Sequence, residues 1–292
     1  MLQSKRNRLS ALLLACGLAV ATYAVSLTAA GRDSDIPAAV VAGAGWNYRV
    51  VAEGLAGIDN LVLAADGSLY ATQELPRGAG KVIQVRHGEV STVVSGLNVP
   101  DGLLLRGKFL FITEETSGGR LLEFDLSAKK LRVITTQRNL EGIDMLPGGD
   151  LVVSEDIING RLLRVRRHGP GPVEVLFGGL NRPEGLVVRS DGAVLFAETA
   201  TGRVLSYKNG DMNVVLDDLD EPDQVEIAPD GALWITEDVS DARLLRLKGE
   251  QLEIVLSGLH YPQGMAFGAN GAVWLAEQGR QRILVISGKN ER

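Results

Sequence analysis

Cysteine is almost missing from this chain: Cys16 is the only one among 292 residues. It falls in a stretch that reads as an export signal, so the rest of the chain has neither disulfides nor a thiol nucleophile. Histidine is scarce as well, with three in all. His87 and His168 fall at the far ends of alternating strands and read as solvated, which leaves His260 near any candidate site. A Ser-His triad and a histidine-built zinc centre are therefore set aside. Clustered positive charge is lacking too. Lys5, Arg6 and Arg8 belong to the leader, which leaves 27 basic side chains against 36 acidic ones, a formal charge of −9. Nucleic acid requires a cationic footprint and is not an expected partner.

What is present begins with that leader. The three basic residues precede an apolar run from Ala11 to Leu27, and Thr28-Ala29-Ala30 offers a small-residue cleavage site. This pattern reads as a signal peptide over residues 1–30. An uncleaved N-terminal anchor is the alternative, since a 17-residue run lies at the lower edge of spanning length. Leu13-Leu14-Ala15-Cys16 also loosely resembles a bacterial lipobox. All three readings export the domain, to the periplasm or beyond the cell. Residues 31–45, polar and then Ala/Gly-rich, read as a flexible leader before a domain at 46–292.

That domain is one phrase written six times. GLHYPQGMAFGANGAVWLAEQ from Gly258 has counterparts starting at Gly54, Gly96, Asn139, Gly179 and Asp218. Each runs turn, apolar strand, tight turn, apolar strand, carboxylate or amide. Asp-Gly and Asn-Gly pairs at 66–67, 191–192, 230–231 and 270–271 mark the hairpins. After each phrase comes an alternating strand that opens on a basic residue, as in Arg120–Leu126 and Arg243–Lys248, and then a fourth strand such as Glu89–Val94. Six units of four strands predict a six-bladed β-propeller, an all-β fold. Trp46–Glu53 reads as a fourth strand that arrives early, and the chain ends on a third strand. The two are predicted to share the last blade, closing the ring and hiding its edges.

Two polar columns run through the repeats. The first, just before the innermost strand, is Asp59, Asp101, Glu141, Glu184, Asp223 and Gln263. The second, ending the next strand, is Gln73, Glu114, Glu155, Glu198, Glu237 and Glu277. The second recurs in nearly every unit and reads as repeat grammar, with carboxylates accepting amides of the following turn. Five carboxylates of the first column are expected around one axis. At roughly 6 Å and an effective dielectric of about 20, each pair repels by about 2.8 kcal/mol. Either their pKa values rise or a cation sits among them; oxygen-only ligands favour calcium, with magnesium as the alternative. The other possibility is that they splay into turn hydrogen bonds around a water-filled mouth. Beside that mouth, Arg182 is a candidate anchor for an anionic group and Tyr261 a candidate apolar wall.

Pro-Asp-Gly at 100–102, Pro-Glu-Gly at 183–185 and Pro-Asp-Gln at 222–224 resemble the gluconolactonase and senescence-marker-protein superfamily of six-bladed propellers. The resemblance spans nearly the whole domain. It implies one divalent ion, usually calcium, and the opening of a lactone or related ester. Carried over by repeat phase, the metal ligands fall on Asp59, Glu184 and Asp223, with Glu141 near the substrate; Gln263, from the first column, is a further candidate for substrate contact. Asp223 or Asp101 is then the general base. The superfamily pattern has asparagine in the third and fourth repeats, where Glu141 and Glu184 make this mouth more anionic. Trp-Ile-Thr-Glu at 234–237 and Trp-Leu-Ala-Glu at 274–277 also resemble streptogramin lyase repeats. The His-Glu pair of that chemistry would fall on Gln263 and Glu277, so its histidine is missing. The expected protein is a monomer acting on a small molecule; the rival is a non-catalytic NHL-like propeller that binds a protein or polysaccharide.

Overall fold

The computed structural model describes residues 39–167 and 173–288. The signal peptide, most of the leader and His168 lie outside them. Within the described residues the chain forms six four-stranded antiparallel sheets, ordered A to D from the axis outward. The innermost A strands are Ile58–Leu63, Pro100–Arg106, Leu140–Met145, Pro183–Val188, Pro222–Ile227 and Pro262–Phe267. Adjacent A strands pack against one another all the way round, including the last against the first.

Closure is as predicted. Trp46–Ala52 pairs along the outer strand Arg282–Gly288, with Trp46 opposite Gly288 and Val50 opposite Leu284, and becomes strand D of blade 6. The leader contributes one feature beyond the expectation of flexibility. Val41–Ala42 pairs with Leu256–Ser257 as a fifth strand on blade 5, and the Tyr48 hydroxyl donates to the Val40 carbonyl at 3.1 Å.

Each blade is buried on both faces, so its B strand is apolar at successive positions rather than at alternate ones. Blade 2 illustrates this. Leu110 and Ile112 pack with Tyr70, Val82 and Leu97 of blade 1, while Phe111 between them packs with Leu140, Leu151 and Leu163 of blade 3. A fully buried Phe or Leu contributes on the order of 1.5–3 kcal/mol. The core is thus six inter-blade layers.

A local irregularity recurs at the same place in every blade. Pro100 pairs with Glu114 and Leu103 with Ile112, so Asp101 and Gly102 face Thr113 alone. Equivalent two-against-one steps occur at 59–60, 141–142, 184–185, 223–224 and 263–264. These are β-bulges, which bend a strand and re-aim its side chains. Every residue of the first polar column occupies the first bulge position. Four of the second positions are glycine, for want of room: a Cβ at Gly102 would lie 2.2 Å from the Glu141 carbonyl oxygen, and one at Gly142 would lie 2.6 Å from that of Glu184. The other two second positions carry Asn60 and Gln224.

Candidate functional site

The second polar column is structural. Glu114, Glu198, Glu237 and Glu277 accept the backbone N–H of Asn98, Asn181, Asp220 and His260, at 2.8 to 3.0 Å, so these amides come from the turn before strand A rather than from the turn after strand B that the sequence suggested. Each also binds the arginine that opens strand C of its own blade: Arg120, Arg203, Arg243 and Arg282. Glu155 does the same with Arg161. In blades 2 to 6 the arginine in the first half of the third strand thus neutralises a carboxylate buried at the blade-to-blade crossing. Blade 1 substitutes a neutral version, in which Gln73 donates to the Ala56 carbonyl at 2.7 Å.

The first column is different. Asp59, Asp101, Glu141, Glu184, Asp223 and Gln263 are all buried, at 4 to 8% exposure, on bulges at one end of the channel. Glu141, Glu184 and Asp223 bring one carboxylate oxygen each to within 4.8 Å of one another. The Oδ2 atom of Asp223 is buried with no hydrogen-bond partner among the described residues. A buried carboxylate oxygen without a donor is costly, and the group here is open to a cation. The donors are all oxygen, which suits a hard ion.

Sequence reasoning missed a third column. The residue following each member of the second column is Glu74, Glu115, Asp156, Thr199, Asp238 or Gln278. Its backbone N–H donates to the carbonyl of Gly57, Val99, Asn139, Arg182, Glu221 or Tyr261, respectively. Those acceptors all have left-handed backbone, with φ from 42° to 60°. For a residue with a Cβ that conformation costs roughly 1–2 kcal/mol. Val99, Asn139, Arg182 and Tyr261 also donate their own N–H to a carbonyl of the preceding blade. The left-handed residue thus ties adjacent blades together at the mouth. It also brings the third column beside the first: Glu74, Asp101 and Glu115 form one further close group, and Glu115, Glu141 and Asp156 another. The signal was legible, as acids occur four times in six at a fixed phase.

The mouth therefore holds nine carboxylates. Burial, then the charge of Asp156, pushes Glu184 up to about 8, and the same two causes in the same order push Glu115 up to about 8. Burial also raises Asp59, with Glu74 the next cause, and Asp101, with Asp59 the next. Glu141 and Asp223 are raised by burial and then by Asp101 and Glu184, respectively.

The candidate anchor Arg182 is engaged. It donates to both oxygens of Asp156 at 2.9 and 3.0 Å and to Glu184 at 2.7 Å, so two carboxylates already hold the guanidinium. Gln263 donates to Asp238 at 2.7 Å. Asp59 lies apart from the three-carboxylate group and receives Gln278 at 3.1 Å, as does Glu74. Tyr261 sits half-buried at the rim, its ring 4.7 Å from that of His260. His260 itself is buried, with Nδ1 3.1 Å from the Ser240 carbonyl oxygen. His87 is exposed.

The opposite end of the channel has a lighter charge pattern. A cavity of about 510 Å³ there is lined by Leu63, Leu105, Val188 and Phe267, with Arg106, Asp144 and Glu226. Arg106 binds Asp144 at 2.6 Å. Burial, with Asp144 as the next cause, pushes Glu226 up to about 8.

No family model matches the chain, and no curated protein matches it in sequence. Solved structures do match in fold. A gluconolactonase from Xanthomonas campestris is 12% identical, with 88% of this chain and 96% of that one covered and a TM-score of 0.71. A putative oxidoreductase (glucose dehydrogenase) from Thermus thermophilus is 17% identical, covering 83% and 100%, with a TM-score of 0.67. A catalytically inactive virginiamycin B lyase from Staphylococcus aureus, solved with quinupristin, is 15% identical, covering 83% and 99%, with a TM-score of 0.62. Three different chemistries are named on one architecture, so the likeness shows the fold and not the activity.

Proposed function

We propose that this protein is an exported, calcium-dependent hydrolase that opens a lactone or related ester at the acidic mouth. One observation carries the reading: Glu141, Glu184 and Asp223 converge within 4.8 Å, and the Oδ2 atom of Asp223 is buried with no partner among the described residues. These three would hold the ion; Asp59, on the neighbouring arc, is the further candidate carried over from the superfamily pattern. Bound there, calcium supplies Lewis acidity, polarising the substrate carbonyl and acidifying water.

The chain does the rest. Asp101, buried and with its pKa raised, is the general base. It takes one proton from the attacking water as oxygen adds to the carbonyl carbon. It returns that proton to the ring oxygen as the C–O bond breaks, which leaves a hydroxy acid. Arg182, held by Asp156, fixes the orientation of Glu184 and is not a substrate anchor. Gln263 and Tyr261 would contact the substrate. The product carboxylate is a new anion among like charges, which favours its release.

The sequence departs from a lyase of the streptogramin type where it matters. Gln263 stands at the histidine position, and Glu277 is occupied by Arg280, Arg282 and the His260 amide. The test uses chelator-treated protein with sugar lactones and aryl esters, with and without calcium. Calcium-dependent turnover that disappears in Asp223→Asn and Asp101→Asn supports the reading. No turnover of any member, in protein shown to be folded, favours a binding propeller instead.

A further inference from the structure

The end of the channel remote from the acidic mouth holds a carboxylate that the fold leaves without a counter-charge. The residue three places beyond each member of the first column, on the same A strand, is Val62, Leu104, Asp144, Val187, Glu226 or Ala266. All six keep the same register against strand B, so they occupy equivalent places around the axis. Four are apolar, and the two acids are provided for very differently. Asp144, in blade 3, accepts Arg106 at 2.6 Å and the backbone N–H groups of Met145 and Val188 at 2.7 Å each. Arg106 comes from blade 2, five residues beyond that blade's member of the first column, and the residue that matches it for Glu226 of blade 5 is Arg189 of blade 4. Arg189 turns instead to Asp191 of its own hairpin, at 3.7 Å, with both side chains about half exposed.

Glu226 therefore forms no ion pair among the described residues; Arg106 acts on it, but Asp144 already holds that guanidinium. Its raised pKa agrees with this, since burial and the charge of Asp144 outweigh Arg106. Glu226 is also within reach of a ligand. It is only part-buried, and it lines the cavity of about 510 Å³ at this end of the channel. The wall around it is apolar, with Leu63, Leu105, Val188, Ile227 and Phe267. That volume lies within the range typical of small-molecule pockets, as does an apolar lining with few polar groups. The matching place at Asp144 takes a cation, and a charge-assisted hydrogen bond to a carboxylate is among the stronger polar contacts.

We infer that this end of the channel is a ligand site for a small organic cation, an ammonium group carried on an apolar body. The ammonium pairs with Glu226, and the body packs against Leu105, Val188 and Phe267. The site is separate from the acidic mouth and does not depend on the function assigned there.

Cyclohexylmethylamine and cyclohexylmethanol form a matched pair of probes, nearly the same in shape, with and without the positive charge. The amine, like a lysine side chain, stays protonated at about pH 8.5, where Glu226 is largely ionised. Calorimetric titration of each probe gives its affinity. In the wild-type protein the amine is expected to bind saturably and about tenfold more tightly than the alcohol, ~1.4 kcal/mol. Glu226→Gln keeps the size of the side chain and removes its charge, and there the tenfold preference disappears while the alcohol binds as before; a cooperative thermal melt shows that the variant is folded. Because an ammonium is also attracted to the acidic mouth, Asp223→Asn is the second arm, and there the preference for the amine is retained. Equal affinity for the two probes, no saturable binding up to millimolar amine, a preference that survives in Glu226→Gln, or one that vanishes in Asp223→Asn overturns the inference.

Discussion

Replacing Asp223 with asparagine should make the metal-free protein more stable, which is the reverse of what substitution of a buried, well-packed residue normally does. Its carboxylate comes within 4.8 Å of those of Glu141 and Glu184. At an effective dielectric of about 20 such a pair repels by about 3.5 kcal/mol or more if both groups ionise. Protonation is the escape, but it has a comparable cost. Glu184 is pushed from 4.5 to about 8. Keeping it protonated at pH 7 therefore costs roughly 3 kcal/mol relative to the unfolded chain. Asparagine removes one charge from the group and offers an amide N–H to its neighbours. After the loss of some packing, a net gain of about 1–2 kcal/mol is expected. For a domain of this size that raises Tm by roughly 2–8 °C. Calcium should reverse the order. At a concentration about 100 times its Kd, it stabilises the wild-type protein by about 2.7 kcal/mol and the variant by much less. Thermal melts of both proteins, in chelator and in calcium, give the four numbers needed. A variant less stable than wild type in chelator, or calcium shifts of equal size in both, would refute the reasoning.

Two further outcomes follow from groups outside the metal site. Glu237→Ala strips Arg243 and the Asp220 amide of their shared carboxylate at a buried crossing, and stability should fall by roughly 2–4 kcal/mol in chemical denaturation. A loss below about 1 kcal/mol would mean that the second column does not hold the blades together. Glu226, at the far end of the channel, is pushed from 4.5 to about 8, so the folded protein binds more protons than the unfolded chain in that window. Its contribution to stability is full below about 4.5 and is lost as pH rises towards 8, by up to about 1.4 kcal/mol per pH unit. Glu226→Gln should flatten that part of the slope between pH 5 and 8, and an unchanged slope would sink the assignment.

The blades were legible because both of their faces are buried. Successive apolar residues between hairpin signals repeat at one period, and the fourth strand that opens the chain pointed to the closure that Trp46–Ala52 makes. The second column was legible as grammar because it recurs in nearly every unit, whereas its pairing with an arginine of the third strand was not read from the sequence. The mouth was harder. Asp101 and Glu141 stood out by phase, but nothing local announces that each sits on a bulge, since register belongs to strand pairs. Glu115 and Asp156 recur at a fixed phase in the sequence, but their place beside the first column depends on backbone bonds to the left-handed Val99 and Asn139, which local sequence does not announce. Arg182 looked free in sequence because Asp156, which holds it, comes from the preceding blade, 26 residues away.

The most direct measurement is calorimetric titration of calcium into chelator-treated protein at pH 7, repeated in two buffers of different ionisation heat. One saturable site is predicted, with protons released on binding because carboxyls held neutral by burial must ionise, and with the heat abolished in Asp223→Asn. An absence of saturable heat, or a site that survives that substitution intact, would contradict a cation held at this mouth.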